Sequence, residues 1–133
     1  MHHHLPKPHP VFVHLTLGSF VYEDGIWNST ITRGNESLEL SLAGSELAPH
    51  ENLVTSAIAL LARFAEVKGQ ALDFLIAQPE APEREDFICH GIQLLLDDYP
   101  NHFSLTFILF GDLGGLWRVE FEDGEPEFLA RDD

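Results

Sequence analysis

The sequence predicts an α+β fold: an antiparallel β-sheet of about six strands, in the order βββ-α-βββ, with one long helix packed on one face. Three observations indicate it. Apolar residues alternate with polar ones near both ends of the chain, as they do in strands with one buried face. In the middle of the chain they recur every three or four residues, the spacing of an amphipathic helix. The 133 residues are 44% hydrophobic and 11% aromatic, which is enough apolar material for one globular core.

Ten residues precede the first predicted strand, and they contain three prolines and four histidines. We predict a disordered or extended N-terminal arm at 1–10 and a single α+β domain at 11–133. Histidines ligate divalent metals, but an arm without a fold has nothing to fix the geometry of its ligands. We therefore predict neither a metal site nor a cofactor. The metal-binding alternative stays open for His2, His3, His4 and His9.

The first predicted elements form a three-stranded meander. Residues 11–17 alternate apolar and polar side chains, residues 26–32 are rich in β-branched side chains, and leucines alternate with polar residues over 38–42. Turn signals separate these segments, at Glu23-Asp24-Gly25 before the second strand and at Arg33-Gly34-Asn35 before the third. Each strand is thus predicted to pair with the next one along the chain.

One long helix is predicted from about Pro49 to Ala77. Proline suits the first turn of a helix, and the three-to-four-residue apolar spacing continues through this segment. Gly69 lies inside the pattern, where a glycine costs up to ~1 kcal/mol, so a kink or break there is an alternative. Pro79 and Pro82 end the helix, because proline cannot continue it.

Alternation returns after a charged linker at 80–86. A short apolar-alternating segment at 92–96 is followed by two more, at 103–110 and 117–121. Asp123-Gly124 predicts a hairpin turn, and a further edge strand is predicted after it. The C-terminal part therefore supplies three or four strands to the sheet.

The charge balance limits the kinds of partner. Seven basic and 22 acidic residues give a net charge of −15, which argues against nucleic-acid backbones and anionic membranes as ligands. It favours a basic protein partner, and equally a simple role in solubility. The single cysteine excludes a disulfide within the chain, and no apolar run approaches the ~20 residues that span a bilayer. We predict a cytoplasmic protein.

No catalytic residue is predicted. Cys89-His90 places a thiol beside a base, but neighbours on a strand point to opposite faces, so we interpret the pair as a buried Cys89 and a peripheral His90. The chain has no phosphate-binding loop, no nucleophile elbow and no zinc-binding HExxH sequence. Its many carboxylates leave a two-carboxylate hydrolase or a calcium site as alternatives, and we predict that the protein is not an enzyme.

The most polarised stretch is the final 14 residues, which hold seven acids and one base, Arg131. Acids along an edge strand also prevent edge-to-edge aggregation, which accounts for part of this run. Its density, with Trp117 and Phe128 near it as apolar anchors, indicates a surface for a partner. The predicted partner-binding residues are Asp112, Trp117, Glu120, Glu122, Asp123, Glu125 and Glu127.

The layout of the chain resembles a group of small uncharacterised bacterial domains. In both, an opening meander places a tryptophan after an acidic turn, here Trp27 after Glu23-Asp24-Gly25, and a long helix follows. Two terminal strands then come before a hairpin, here 103–110 and 116–121 before Asp123-Gly124. The resemblance covers roughly 11–130. Several members of the group look like immunity proteins of polymorphic-toxin or contact-dependent systems.

That resemblance implies an inhibitor that binds a protein rather than an enzyme. The group usually carries an acid–His–Gly cluster in the loop after the Phe-rich strand, whereas this chain has Asp112-Leu113-Gly114-Gly115 and no histidine there. Three hypotheses follow: an immunity-type protein that neutralises a basic partner such as a nuclease toxin, a small carboxylate- or metal-dependent hydrolase, and a structural or adaptor subunit.

Overall fold

The computed structural model describes residues 10–99, 101–110 and 115–132. These residues form eight strands and two α-helices. The first four strands are β1 Val11–His14, β2 Gly18–Glu23, β3 Ile26–Arg33 and β4 Glu36–Ala43. The helices are α1 Glu51–Ala62 and α2 Phe64–Ile76, and a short 3-10 turn follows at Arg84–Asp86. The last four strands are β5 Phe87–Leu94, β6 Phe103–Leu109, β7 Leu116–Glu122 and β8 Glu125–Asp132.

All eight strands belong to one sheet, and their spatial order is the order of the chain. Neighbours pair antiparallel except β4 and β5, which are parallel. A parallel pair needs a crossover connection, and the two helices provide it. The α+β class is therefore confirmed, while the sheet is mixed and has eight strands instead of the predicted six antiparallel ones.

One predicted strand contains only the first strand of a hairpin and its turn. The segment predicted as a single strand over 11–17 ends at His14, where the ring Nδ1 accepts hydrogen bonds from the backbone N–H groups of Thr16 and Leu17. Gly18 then adopts a φ of 89°, a left-handed conformation that favours glycine, and β2 begins. Its Phe20 is fully buried. The alternation continues through the turn, so the sequence pattern hides it.

The predicted long helix is broken at Arg63 and not at Gly69. Arg63 leaves the helical region with φ −115° and ψ 20°, and its guanidinium lies 3.0 Å from the Glu66 carboxylate in the first turn of α2. Gly69 lies inside α2, where a helix tolerates it at a modest cost. Two shorter helices, each with its own buried stripe, therefore replace the single one.

Both helices lie over one face of the sheet and share a single core with it. We call the opposite face, which the described helices leave uncovered, the outer face. Trp27 anchors the β3 end of the core, since its ring is 1% exposed and its Nε1 donates a hydrogen bond to the Ser45 carbonyl. The other fully buried apolar side chains of the strands are Phe20, Leu38, Leu40, Leu42, Ile92, Leu94, Leu105, Phe107, Val119 and Phe121.

Neither helix in the described part of the chain is long and apolar enough to cross a membrane. Residues 1–9 of the predicted N-terminal arm lie outside the described residues.

Candidate functional site

The predicted acidic segment folds as the hairpin of β7 and β8. Its turn uses Asp123 and Gly124, both in the left-handed region with φ of 52° and 82°. Immediately beside the turn, Glu122 pairs directly across the strands with Glu125. Three of the predicted partner-binding acids therefore converge at the hairpin tip. We call Glu122, Asp123 and Glu125 the tip acids.

The tip acids have almost no compensating charge. All three are exposed, and within the described chain no Lys, Arg or His lies within 4.0 Å of the Glu122 and Glu125 carboxylates. Asp123 has only His102, whose Nε2 lies 3.9 Å from its carboxylate. Like charges directly opposite each other in a sheet are destabilising. This cluster thus lowers the stability of the hairpin that carries it.

The other predicted acids on this hairpin have different surroundings. Glu120 is half-buried, and its carboxylate lies 3.2 Å from the Arg118 guanidinium. Glu127 is exposed and sits at the bulge where β8 shifts register against β7. Glu120 pairs across the strands with Phe128, whose ring is 55% exposed. The hairpin thus carries an exposed aromatic ring next to its acids.

Trp117 was predicted as an aromatic anchor near the surface, and the structure places it in the core. Its side chain is 9% exposed, because residues 117, 119 and 121 alternate onto the helix-covered face. Phe87 packs edge-on against it at 5.4 Å, and the Arg131 guanidinium lies 4.1 Å from its ring centroid. Phe128 is the large aromatic that this hairpin exposes. Asp112 lies outside the described residues.

A second feature, not predicted from the sequence, is a cavity of about 420 Å³ on the outer face, which we call the cleft. Residues of β2 to β7 and the β2–β3 turn line it, and no described helix residue does. Its floor crosses the parallel junction of β4 and β5, where Glu39 pairs with Gly91. The lining residues are Glu23, Asp24, Ile26, Asn28, Glu39, Ser41, His90, Gly91, Gln93, Thr106 and Leu116.

Small polar side chains form the floor of the cleft. Ser41 is 8% exposed and its hydroxyl donates a 2.6 Å hydrogen bond to Asn28 Oδ1. Thr106 is 4% exposed. Gly91 must lack a side chain, because a Cβ there would lie 2.8 Å from the Glu39 backbone oxygen and 3.2 Å from Thr106 Oγ1. Three exposed carboxylates, Glu23, Asp24 and Glu39, stand around this floor.

The cleft and the hairpin belong to one continuous surface. The strand register places Gln93 beside Ser104, Ser104 beside Glu120, and Glu120 beside Phe128. A second cavity of about 280 Å³ follows this row and is lined by Gln93, Glu120 and Glu122 among others. The outer face therefore connects the cleft to the tip acids along a row that includes Glu120 and Glu122, and Arg118, His102 and apolar side chains also line the second cavity.

The adjacent pair Cys89 and His90 separates onto the two faces of β5. Cys89 is 2% exposed, and burial raises the pKa of its thiol to about 12. His90 is exposed and lines the cleft. A thiol that stays protonated at neutral pH is a weak nucleophile, and the β5 backbone separates it from the histidine.

In the described chain, no group of three or more His, Cys, Asp or Glu residues is placed to hold a metal ion. The N-terminal histidines predicted as alternative ligands lie outside the described residues. Comparisons of the chain with protein-family models, curated proteins and solved structures give no match.

The cleft residues carried little signal in the sequence. Glu39, Ser41 and Gln93 read as the ordinary polar side of half-buried strands. Only the parallel pairing of β4 with β5, which the sequence did not predict, brings them together. The one available hint was Gly91 inside a strand pattern, which indicates a bulge or a close backbone approach.

Proposed function

We propose that the chain is a binding protein that neutralises a basic protein partner, with the hairpin tip and the outer face as its contact surface. The observation that carries the proposal is the arrangement of the tip acids. Glu122 and Glu125 oppose each other directly, with Asp123 in the turn between the strands. This arrangement costs folding stability, and a cationic partner is what relieves it.

The charge of the whole chain acts in the same direction. A net charge of −15 attracts cationic partners over a distance that salt limits to ~8 Å at physiological ionic strength. The tip acids lie at the end of a hairpin, where a partner reaches them first. Rim charges of this kind mainly raise the association rate. Phe128, 55% exposed beside Glu120, is the candidate for the apolar contact that slows dissociation.

The same surface is poorly suited to other ligand classes. Nucleic-acid backbones and anionic lipid headgroups are repelled by it, because both carry negative charge. A toxin enzyme that acts on nucleic acid carries a cationic cleft, which an acidic surface complements. We therefore propose an immunity-type inhibitor that acts in the cytoplasm, in line with the layout resemblance.

The experiment compares two triple variants with the same change in charge. The first neutralises the tip acids as Glu122→Gln, Asp123→Asn and Glu125→Gln. Asparagine tolerates the left-handed turn position, so the hairpin is preserved. The control neutralises Glu80, Glu83 and Glu85, which are equally exposed but lie in the connection between α2 and β5.

Partners are captured with the parent protein from lysate of the source organism, and association is measured for all three proteins against salt. The tip variant is expected to associate about 10-fold more slowly at low salt, with the control close to the parent. An acidic captured partner, or equal rates for the two variants, would contradict the proposal. Measuring the partner's own activity in the complex separates an inhibitor, which abolishes it, from an adaptor, which leaves it unchanged.

The cleft gives the hydrolase hypothesis a structural location, because Glu23, Asp24 and Glu39 surround it. A hydrolase needs two of these carboxylates in an acid and a base role. Hydrolysis of a phosphoester, peptide or glycoside substrate by the parent and not by Glu39→Gln would favour that alternative over a binding protein.

A further inference from the structure

We infer that the cleft on the outer face is a socket for one cationic side chain of the partner, an arginine in preference to a lysine. This inference rests on the proposed function and adds to it a specific place for a specific group. Three carboxylates, Glu23, Asp24 and Glu39, surround the cleft, and no lysine or arginine is among its described lining residues. No described lysine or arginine of the lining therefore compensates the negative charge of these three carboxylates.

An independent feature of the cleft is a polar side chain in its floor that a ligand can reach. Thr106 is 4% exposed and lines the floor, yet no residue of the described chain hydrogen-bonds to its side chain. Thr106 Oγ1 is not one of the fully buried, unpartnered side-chain atoms of the described residues, so this hydroxyl opens into the cleft, where a ligand can reach it. A donor that enters the cleft from outside gives Thr106 Oγ1 the hydrogen bond that its own chain does not provide.

The floor is also kept open by its backbone. Gly91 passes so close to the neighbouring strand that a Cβ would lie 2.8 Å from the Glu39 backbone oxygen. Thr106 Oγ1 would lie 3.2 Å from the same atom. With no side chain at 91, the cavity of about 420 Å³ reaches down to the hydroxyl of Thr106.

The arginine on the strand next to Thr106 is not among the described lining residues of the cleft. Arg118 is the cross-strand neighbour of Thr106, but its Nε lies 3.2 Å from the Glu120 carboxylate and it lines the second cavity instead. The cleft instead supplies acceptors of several kinds: carboxylates at its rim, the Gln93 amide at its side and the Thr106 hydroxyl below. A guanidinium has five N–H donors in a rigid plane and an ammonium has three, so this set of acceptors favours arginine.

The probe is N-acetyl-arginine-methylamide, titrated into uniformly ¹⁵N-labelled protein while backbone amide shifts are recorded. The neutral citrulline analogue, which has nearly the same shape, is the matched control for charge. We expect the arginine probe to shift the amides of Ser41, Gly91 and Thr106, with the citrulline probe at least 10-fold weaker. The lysine analogue is expected to shift the same amides more weakly than arginine.

Three variants locate the effect. Glu39→Gln removes a rim charge, and Thr106→Val removes the floor hydroxyl at nearly constant volume; each is expected to weaken the arginine probe at least threefold. Glu83→Gln, in the connection between α2 and β5, removes the same charge away from the cleft and is expected to leave the affinity within twofold of the parent. The spectrum of each variant without probe shows whether it retains the parent fold.

The inference is overturned if the arginine and citrulline probes bind equally, if lysine binds more tightly than arginine, or if the shifts fall only at Asp123 and Gly124. Weaker binding of the arginine probe in Glu83→Gln, with unchanged binding in Glu39→Gln and Thr106→Val, also overturns it. Should the probe fail at the cleft while partner association still depends on the tip acids, the socket is disproved and the proposed function stands.

Discussion

The two faces of the sheet are built from alternate residues of the same strands, and they have opposite properties. On β4, Leu38, Leu40 and Leu42 are fully buried under the helices, whereas Glu39 between them points into the cleft on the outer face. One face is apolar and filled. The other carries the acids and polar side chains of the cleft beside exposed apolar residues on β1 and β2, namely Val11, Val13 and Val21, and the described helices leave it uncovered. The fold depends on the first face, and the proposed function depends on the second.

The largest difference between the faces is expected in how much an alanine substitution lowers stability at two neighbouring positions of β4. Leu40→Ala should lower the free energy of unfolding by ~2–5 kcal/mol, because it removes buried methyl groups and leaves a cavity. Glu39→Ala should change it by less than about 0.5 kcal/mol, since exposed side chains contribute little. Urea denaturation of both variants measures this. A loss below about 1 kcal/mol for Leu40→Ala would mean that the faces are assigned incorrectly.

Alanine substitutions at two glycines are expected to change stability in opposite directions. At Gly91 a new Cβ would be 2.8 Å from a backbone oxygen, so Gly91→Ala should destabilise by ~1–3 kcal/mol through overpacking. At Gly69 the nearest atom would be 3.8 Å away, so Gly69→Ala should stabilise α2 by up to ~1 kcal/mol. Thermal or urea melts give both values. Equal effects of the same sign would refute the close approach that keeps the cleft open.

The buried thiol on the helix-covered side of β5 predicts a dependence of stability on pH. Burial raises the pKa of Cys89 to about 12 in the folded chain, against an ordinary value of 9.0. The unfolded chain therefore loses this proton first as pH rises, and folding loses about 1.4 kcal/mol for each pH unit between these values. The effect is absent below the unfolded pKa.

Urea melts of the parent and Cys89→Ala at pH 8 and pH 10 isolate this contribution. The parent is expected to lose about 1.4 kcal/mol more than the variant between the two pH values. Identical losses would show that the Cys89 thiol is accessible to water in the folded protein. The same accessibility would appear as fast alkylation of the native protein at pH 8.

The helix-covered face could be predicted from the sequence much better than the outer face. The leucines of β4 and the apolar residues at 117, 119 and 121 are periodic, and there the alternation matches burial, whereas on β1 the alternating Val11 and Val13 are exposed. Trp117 belongs to that same pattern, so its burial was available from the alternation although it was predicted as a partner-binding residue. The hairpin turn at Asp123-Gly124 was identified because its residue types demand a left-handed backbone.

What the sequence could not supply depends on contacts between distant segments. Hydrogen bonds to the His14 ring help to form the turn between β1 and β2. The alternation of side-chain types in the sequence continues through this turn and does not reveal it. The helix breaks at Arg63, which has good helix propensity. Gly69 has a lower helix propensity and was therefore the expected position of a break. The two helices return the chain to the edge of β4, where β5 pairs with it in parallel. This pairing also forms the cleft.

Amide hydrogen exchange of the chain, alone and bound to its captured partner, tests most directly whether the uncovered face is the binding face. We expect the partner to slow exchange at the β7–β8 hairpin and along the outer-face row from Gln93 to Glu120, while α1 and α2 exchange as in the free protein. Protection of the helices, with the hairpin and the outer face unchanged, would contradict it.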